Sequence, residues 1–154
     1  MRLAEALAAR ADLQRRIEQL RARITANARY QEGEEPAEDA GALLAEADEA
    51  LARLRELIRR INATNSRLDL GVDGTMTDAL AARDVLRMQH ALLTDAAAAA
   101  SGSAGMIRQM RSELRQVSAL PVAQVRARAD AVAAELRELD NRIQHANWTS
   151  ELEE

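Results

Sequence analysis

A chain of 154 residues is long enough for one domain of about four long helices, and its net charge of -4 argues against a nucleic-acid-binding face, which must be net basic. The absence of cysteine excludes disulfides, thiolate zinc sites and cysteine nucleophiles. All 21 basic residues are arginine, which in an alanine-rich chain indicates GC-rich coding and not phosphate recognition.

The first predicted helix covers residues 2–29. Its apolar residues recur at alternating spacings of three and four, which is the pattern of a seam that packs against another helix. The central seam residues are Leu13, Ile17, Leu20 and Ile24. Because such a stripe is unfavourable in water, we expect it to pack on a helix of the same chain or of a second copy.

An acidic loop is predicted over residues 30–41. Gly33, Pro36 and Gly41 interrupt the helical pattern, and five carboxylates lie among them. The loop lacks the Asp-x-Asp-x-Asp-Gly order of a calcium site, so no metal site is predicted there.

The second predicted helix covers residues 42–65. Its seam contains Leu51, Leu54, Ile58 and Ile61, preceded by Leu44 and Ala47. Acidic residues lie in its first half and arginines in its second half, which complements the helix dipole. The short loop before it predicts an antiparallel hairpin with the first helix.

Residues 67–76 predict a small β-hairpin. Leu68, Leu70 and Val72 alternate with polar residues or glycine, and Asp73-Gly74 is a favoured tight-turn pair. An isolated two-stranded hairpin is marginal in water, so it would have to pack on the helices or on another subunit.

The third predicted helix begins after Thr77, as its N-cap, and runs to about Ala100. Its apolar stripe is broad, which is consistent with contact to two neighbours instead of one. The candidate buried residues are Leu80, Val85, Leu86, Met88, Leu92 and Leu93.

Residues 106–118 leave two alternatives open. Apolar residues at spacings of three and four favour a helix over 106–117, whereas an edge strand over 113–118 would pair with the predicted hairpin. The last helix begins at Pro121 and ends near Ala146, before an acidic tail at 149–154. Its seam contains Val132, Leu136, Leu139 and Ile143.

The chain is therefore predicted to be a single helical domain, 1–154, without catalytic, cofactor-binding or metal-binding residues. Its two histidines, His90 and His145, are each preceded by arginine at the third position, so the Glu-x-x-His motif of di-iron bundles is absent. A small-ligand or catalytic pocket near His90, Asp84 and the 67–76 segment is the remaining enzymatic alternative.

The N-terminal segment lacks the apolar core of a secretory signal, and the longest apolar run, 96–100, is far shorter than the roughly 18 residues of a membrane span. We therefore predict a cytoplasmic location and consider a membrane partner an unfavoured alternative.

Several stretches resemble the septicolysin-like family of small helical proteins, mainly from actinobacteria. They are LAEALAARADLQRRIEQLRARI, ARYQEGEEPAEDA, LIRRINATNS, DGTMTDALAARDVL, RSELRQVSALPV and LRELDNRIQHANW. The resemblance implies a helical fold that self-associates, with a hexamer as the candidate assembly, and implies no catalytic residue. The toxin-like family name also suggests a pore-forming protein.

Taken together, the sequence predicts a mainly α, coiled-coil-like protein that forms homo-oligomers and has no enzymatic activity, acting as a scaffold or interaction protein. Its seams exceed what one antiparallel hairpin can bury. The alternatives are a pore-forming, membrane-acting protein and a small-ligand-binding protein or enzyme.

Overall fold

The computed structural model describes residues 1–102 and 114–153, and within them the chain forms four α-helices and no β-strand. The bounds are Leu3–Asn27 for α1, Ala40–Arg67 for α2, Met76–Ala100 for α3 and Val122–Thr149 for α4. The prediction of a mainly α protein is confirmed. The chain divides into two compact units, the first formed by Met1–Asp69 with His145–Glu154 and the second by Leu70–Gln144.

In the first unit, α1 and α2 pack against each other as an antiparallel hairpin. Arg16 pairs with Glu46, and Arg23 pairs with Glu38 nearer to the connecting loop. The hydrogen bond from the Arg23 guanidinium holds the pKa of the Glu38 carboxyl below its usual value. From the first ion pair to the second, the residue numbers rise along α1 and fall toward the start of α2, as expected for antiparallel helices.

The acidic segment 30–41 connects these helices and is tied to both of them. The Asn27 side-chain oxygen accepts a hydrogen bond from the Glu38 backbone N–H at 3.0 Å. Asp39 caps α2 because its carboxylate accepts hydrogen bonds from the backbone N–H groups of Gly41 and Ala42, at 2.8 and 3.1 Å.

A terminal bridge, formed by Arg2 and Glu151, joins the two ends of the described chain in antiparallel register. The Leu3 N–H donates to the Ser150 carbonyl at 3.0 Å, and the Leu152 N–H donates to the Met1 carbonyl at 2.8 Å. Leu3 and Leu152 are buried. Part of the segment that the sequence predicts as an acidic tail is therefore integrated into the first unit.

Glu153 continues this attachment at the end of α2. Its backbone N–H donates to the Thr64 hydroxyl at 3.0 Å, and its carbonyl accepts from Arg60 Nε at 2.7 Å. Its carboxylate pairs with Arg67 at 2.5 Å. Polar groups of the tail thus satisfy buried or half-buried groups of α2, since Thr64 is itself buried.

In the second unit, α3 packs antiparallel on α4. Leu93 and Ala97 of α3 form one buried cluster with Val125, Ala129 and Val132 of α4. At the other end of the pair, Arg83 and Arg87 approach the Asp140 carboxylate at 3.9 and 3.6 Å. The cluster consists of two alanines, two valines and one leucine.

The predicted β-hairpin at 67–76 is wrong. Helix α2 ends at Arg67, residues 68–70 are not helical, and Gly71–Asp73 forms one turn of 3-10 helix. Gly74, with a φ of +75°, donates its N–H to the Gly71 carbonyl at 3.0 Å and accepts one from Leu70 at 2.8 Å. An isolated two-stranded hairpin is marginal in water, and the chain forms instead a 3-10 turn that leads into the N-cap of α3.

Helix α3 begins two residues earlier than the sequence predicts, with Thr75 and not Thr77 as its N-cap. The Thr75 hydroxyl accepts the Asp78 N–H at 3.2 Å, and the Asp78 carboxylate accepts the Thr75 N–H at 2.8 Å. These two bonds form a reciprocal capping box. Hydrogen bonds from the Thr75 hydroxyl and N–H hold the pKa of Asp78 below its usual value.

We expect Thr75→Ala to destabilise the protein by about 1 kcal/mol, because it removes the side-chain oxygen that caps the helix. Thr77→Ala is the matched control, and since Thr77 is exposed in the first turn it should cost less than about 0.5 kcal/mol. Urea unfolding measures both. Because the folded-state pKa of Asp78 is depressed, its hydrogen bonds with Thr75 stabilise the folded chain above the unfolded-state pKa of Asp78. This stabilisation is lost as the pH falls through the folded-state pKa. A larger loss in Thr77→Ala would contradict the assigned cap.

The alternatives for 106–118 lie mostly outside the described residues. Within the described part, 114–118 form neither helix nor strand.

Candidate interaction surface

The predicted seam residues occupy positions that range from buried to half-exposed. Five are buried, namely Leu20, Ile61, Val132, Leu139 and Ile143. Six are partly buried, namely Leu13, Ile17, Ile24, Leu54, Ile58 and Leu136. Leu51 is exposed. The helices therefore carry apolar surface that the described chain leaves uncovered, and its location identifies candidate interaction surfaces.

Helix α3 carries an exposed apolar row, the α3 stripe, defined here as Val85, Met88 and Leu92. These side chains are 62%, 72% and 66% exposed. Their spacing of three and four residues places them in one row along the helix. Leu93 lies on a different side, buried against α4. Helix α3 is thus apolar both toward α4 and away from it.

Of the residues that the sequence predicts to be buried on α3, only Leu93 is fully so; Leu80 and Leu86 are partly buried. The prediction is wrong for the three residues of the α3 stripe. The breadth of the apolar pattern was the available signal, since a stripe wider than one contact face needs a second neighbour. No described residue supplies enough cover for it.

A groove of about 410 Å³ lies beside the α3 stripe, between α3 and α4. Val85, Leu86 and Leu139 contribute its apolar surface, and Asp73 and Arg142 lie in its lining. The Arg142 guanidinium donates two hydrogen bonds to Asp73, at 2.5 and 2.9 Å. This contact raises the pKa of Arg142 and joins the Gly71–Asp73 turn to α4. The pair neutralises the two charges, so the groove holds no free Arg142 cation for an anionic ligand.

His90 lies in a separate groove of about 330 Å³, which also includes Thr94, Arg126 and Asp130. The two grooves share no lining residue. Asp84 lies at the surface, where it approaches Arg83 and Arg87 at 3.6 and 3.9 Å. The structure therefore does not gather His90, Asp84 and the 67–76 segment into one pocket.

The described residues contain no group of three or more histidine, aspartate or glutamate side chains that could hold a metal ion. Among the same residues, no helix is long and apolar enough to cross a membrane.

A model of a family of unknown function, DUF6847, matches residues 10–152. The chain belongs to this family. The DUF6847 chain is also similar to a crystal structure of a functionally unknown conserved protein from Corynebacterium diphtheriae, with 39% sequence identity and a TM-score of 0.91. The similarity covers 99% of each chain. No curated protein matches the chain.

Proposed function

We propose that this protein is a non-enzymatic, homo-oligomeric helical protein that acts as a scaffold or interaction protein. The observation that supports self-association best is the α3 stripe, because three large apolar side chains in one row are mostly exposed to solvent. An exposed row of this kind is typical of a surface that another helix covers. The proposed lack of enzymatic activity draws on the described residues, among which His90, Asp84 and the 67–76 segment do not share one pocket.

The energetic argument favours a helix as the partner of the α3 stripe. Full burial of a Val, Leu or Met side chain contributes about 1.5–3 kcal/mol, and most of that remains to be gained at these three positions. Ala81, Ala91 and Ala99 are exposed near the stripe and would allow a second helix to approach closely. A second copy of the chain supplies such a helix in the same row spacing.

Each compact unit also presents its own exposed apolar surface, with Leu44 and Leu51 in the first unit and the α3 stripe in the second. A chain with two separate self-association surfaces can form closed assemblies larger than a dimer. A hexamer is the assembly expected from the septicolysin-like resemblance, which stays a prediction.

Measurement of the native mass tests this proposal. We expect the wild-type chain to be oligomeric at micromolar concentration, and Met88→Glu to shift the mass toward smaller species because it places a charge within the apolar contact. Thr94→Glu introduces the same charge at an exposed position on another side of α3 and should leave the mass unchanged. A monomeric wild-type chain would remove the proposal, and equal effects of the two substitutions would remove the role of the α3 stripe.

A further inference from the structure

Helix α2 presents a second apolar row, the α2 stripe, defined here as Leu44, Leu51 and Ile58. Leu44 and Leu51 are 52% and 48% exposed, and Ile58 is partly buried. The seven-residue spacing places all three on one side of the helix. Leu43 and Ala50 are fully buried instead, and each lies one residue before a residue of the α2 stripe. The α2 stripe is therefore rotated about 100° from the buried side of the helix.

The side of α2 that faces α1 is marked by Glu46, which pairs with Arg16 of α1. Leu43 and Ala50 lie within about one helical turn of Glu46 on that side, and both are buried. Packing of the hairpin thus uses one face of α2 and leaves the stripe on the adjacent face.

Two opposite charges lie along the α2 stripe at matching positions. Asp48 lies four residues after Leu44, and Arg55 lies four residues after Leu51. Both side chains are exposed, and neither forms an ion pair with another of the residues in 1–102 and 114–153. Their neighbours Glu49 and Glu56 pair instead within the helix, with Arg53 and Arg59.

We infer that a second copy of this chain packs its α2 antiparallel on the α2 stripe, across a twofold axis near Leu51. In this register Leu44 lies opposite Ile58 of the second copy, and Asp48 lies within one residue of the position opposite Arg55 of the second copy. The twofold axis produces each contact twice. A parallel, in-register arrangement would instead leave Asp48 and Arg55 at different heights and on opposite flanks of the contact, where they could not pair, so the charges favour the antiparallel one.

This inference rests on the proposed homo-oligomer and names one of its contact surfaces. The α2 stripe spans about 21 Å from Leu44 to Ile58, given the rise of roughly 1.5 Å per residue. We expect a single helix-to-helix contact of that length to bury less than the roughly 800 Å² per partner of a standard interface. We therefore expect a contact whose strength responds measurably to single charge changes.

Charge reversal with compensation tests the register. Sedimentation velocity on the full chain should show that Asp48→Arg and Arg55→Asp each weaken self-association by roughly tenfold or more, because each creates two like-charge contacts. The double variant should restore association to near the wild-type value, since the opposite charges then face each other again. Glu49→Arg, one residue away and on another side of α2, is the matched control and should change association little.

The outcomes separate this inference from the proposal on which it rests. A monomeric wild-type chain overturns both. A self-associating wild type that is unaffected by the single reversals, or a double variant that fails to recover, overturns the α2 register and leaves self-association intact. Wild-type association with two weakened single variants and a recovered double variant supports the register.

A cysteine introduced near the twofold axis provides a second test, because the chain has no cysteine of its own. Leu51→Cys should form a disulfide-linked dimer on mild oxidation, since two copies of this residue meet at the axis and a disulfide needs Cα atoms within about 7 Å. Ala22→Cys, exposed on α1, is the control. Cross-linking of Leu51→Cys no faster than the control would overturn the position of the axis.

Discussion

Leu139→Asp is expected to unfold the protein or to reduce its free energy of unfolding by at least about 4 kcal/mol. Leu139 is buried on α4, where the substitution removes an apolar side chain and introduces a carboxylate without a partner. Arg142, three residues further along α4 and on the same side of the helix, is already hydrogen-bonded to Asp73. An aspartate at position 139 could therefore pair with Arg142 only if the ion pair between Arg142 and Asp73 were broken.

Asn141→Asp is the matched control for this substitution. It adds the same charge two residues along the same helix, at an exposed position. Its effect on the free energy of unfolding should stay within about 0.5 kcal/mol. Urea unfolding followed by circular dichroism compares the two. If Asn141→Asp proved as damaging as Leu139→Asp, the assignment of the buried side of α4 would be wrong.

The register of α2 explains how much a periodic pattern can predict. The pattern placed Leu51 in the packing seam, whereas the buried residue is its neighbour Ala50. Two overlapping heptad rows run along α2, and periodicity alone favours the row with the larger side chains. The choice between them depends on the packing of α1 against α2, a tertiary contact that no single-helix pattern contains.

The same limit applies to the breadth of α3. Its apolar pattern correctly predicted a helix, and Leu93 is buried as expected. Val85 and Leu92 are as apolar as Leu93, so apolar character alone could not predict that Leu93 is buried while the other two are exposed. The separation arises because α4 supplies Val125 and Ala129 on one side of α3 only.

The terminal bridge was not predictable because its contacts join residues about 150 positions apart in the chain. Four acidic or apolar residues after a helix are typical of a solvated tail, and nothing local indicates that Leu152 is buried. A sequence-based prediction would have needed to pair two short extended segments. Segments this short do not show the alternation of polar and apolar residues by which a strand is recognised. Tertiary hydrogen bonds, such as that from Leu152 N–H to the Met1 carbonyl, decide their structure.

Leu152→Ala is the second substitution with a large expected effect. Leu152 is buried, so the loss of its side chain should cost about 2–4 kcal/mol through lost apolar burial and an incompletely filled space. The loss should be concentrated in the first unit. Hydrogen exchange should show faster exchange of the Leu3 and Leu152 amides, whose N–H groups form the terminal bridge.

The electrostatic part of the terminal bridge makes the stability of the first unit depend on pH. A hydrogen bond from the Met1 amino group, at 3.1 Å, holds the pKa of Glu151 below its usual value, and the Arg2 guanidinium contributes to the same shift. Because the folded-state pKa is depressed, the contact stabilises the folded chain above the unfolded pKa of Glu151. That contribution is lost as the pH falls through the folded value. Glu151→Gln should therefore flatten the acid side of the stability profile.

Comparison of two positions separates apolar burial from charge in the terminal bridge. Val72→Ala removes an apolar side chain that is almost fully exposed and should change the free energy of unfolding by less than about 0.5 kcal/mol. Leu152→Ala should remain destabilising at every pH at which the protein folds, because burial of a leucine does not titrate. If the cost of Leu152→Ala disappeared at neutral pH, or matched that of Val72→Ala, Leu152 would not be anchored in the first unit.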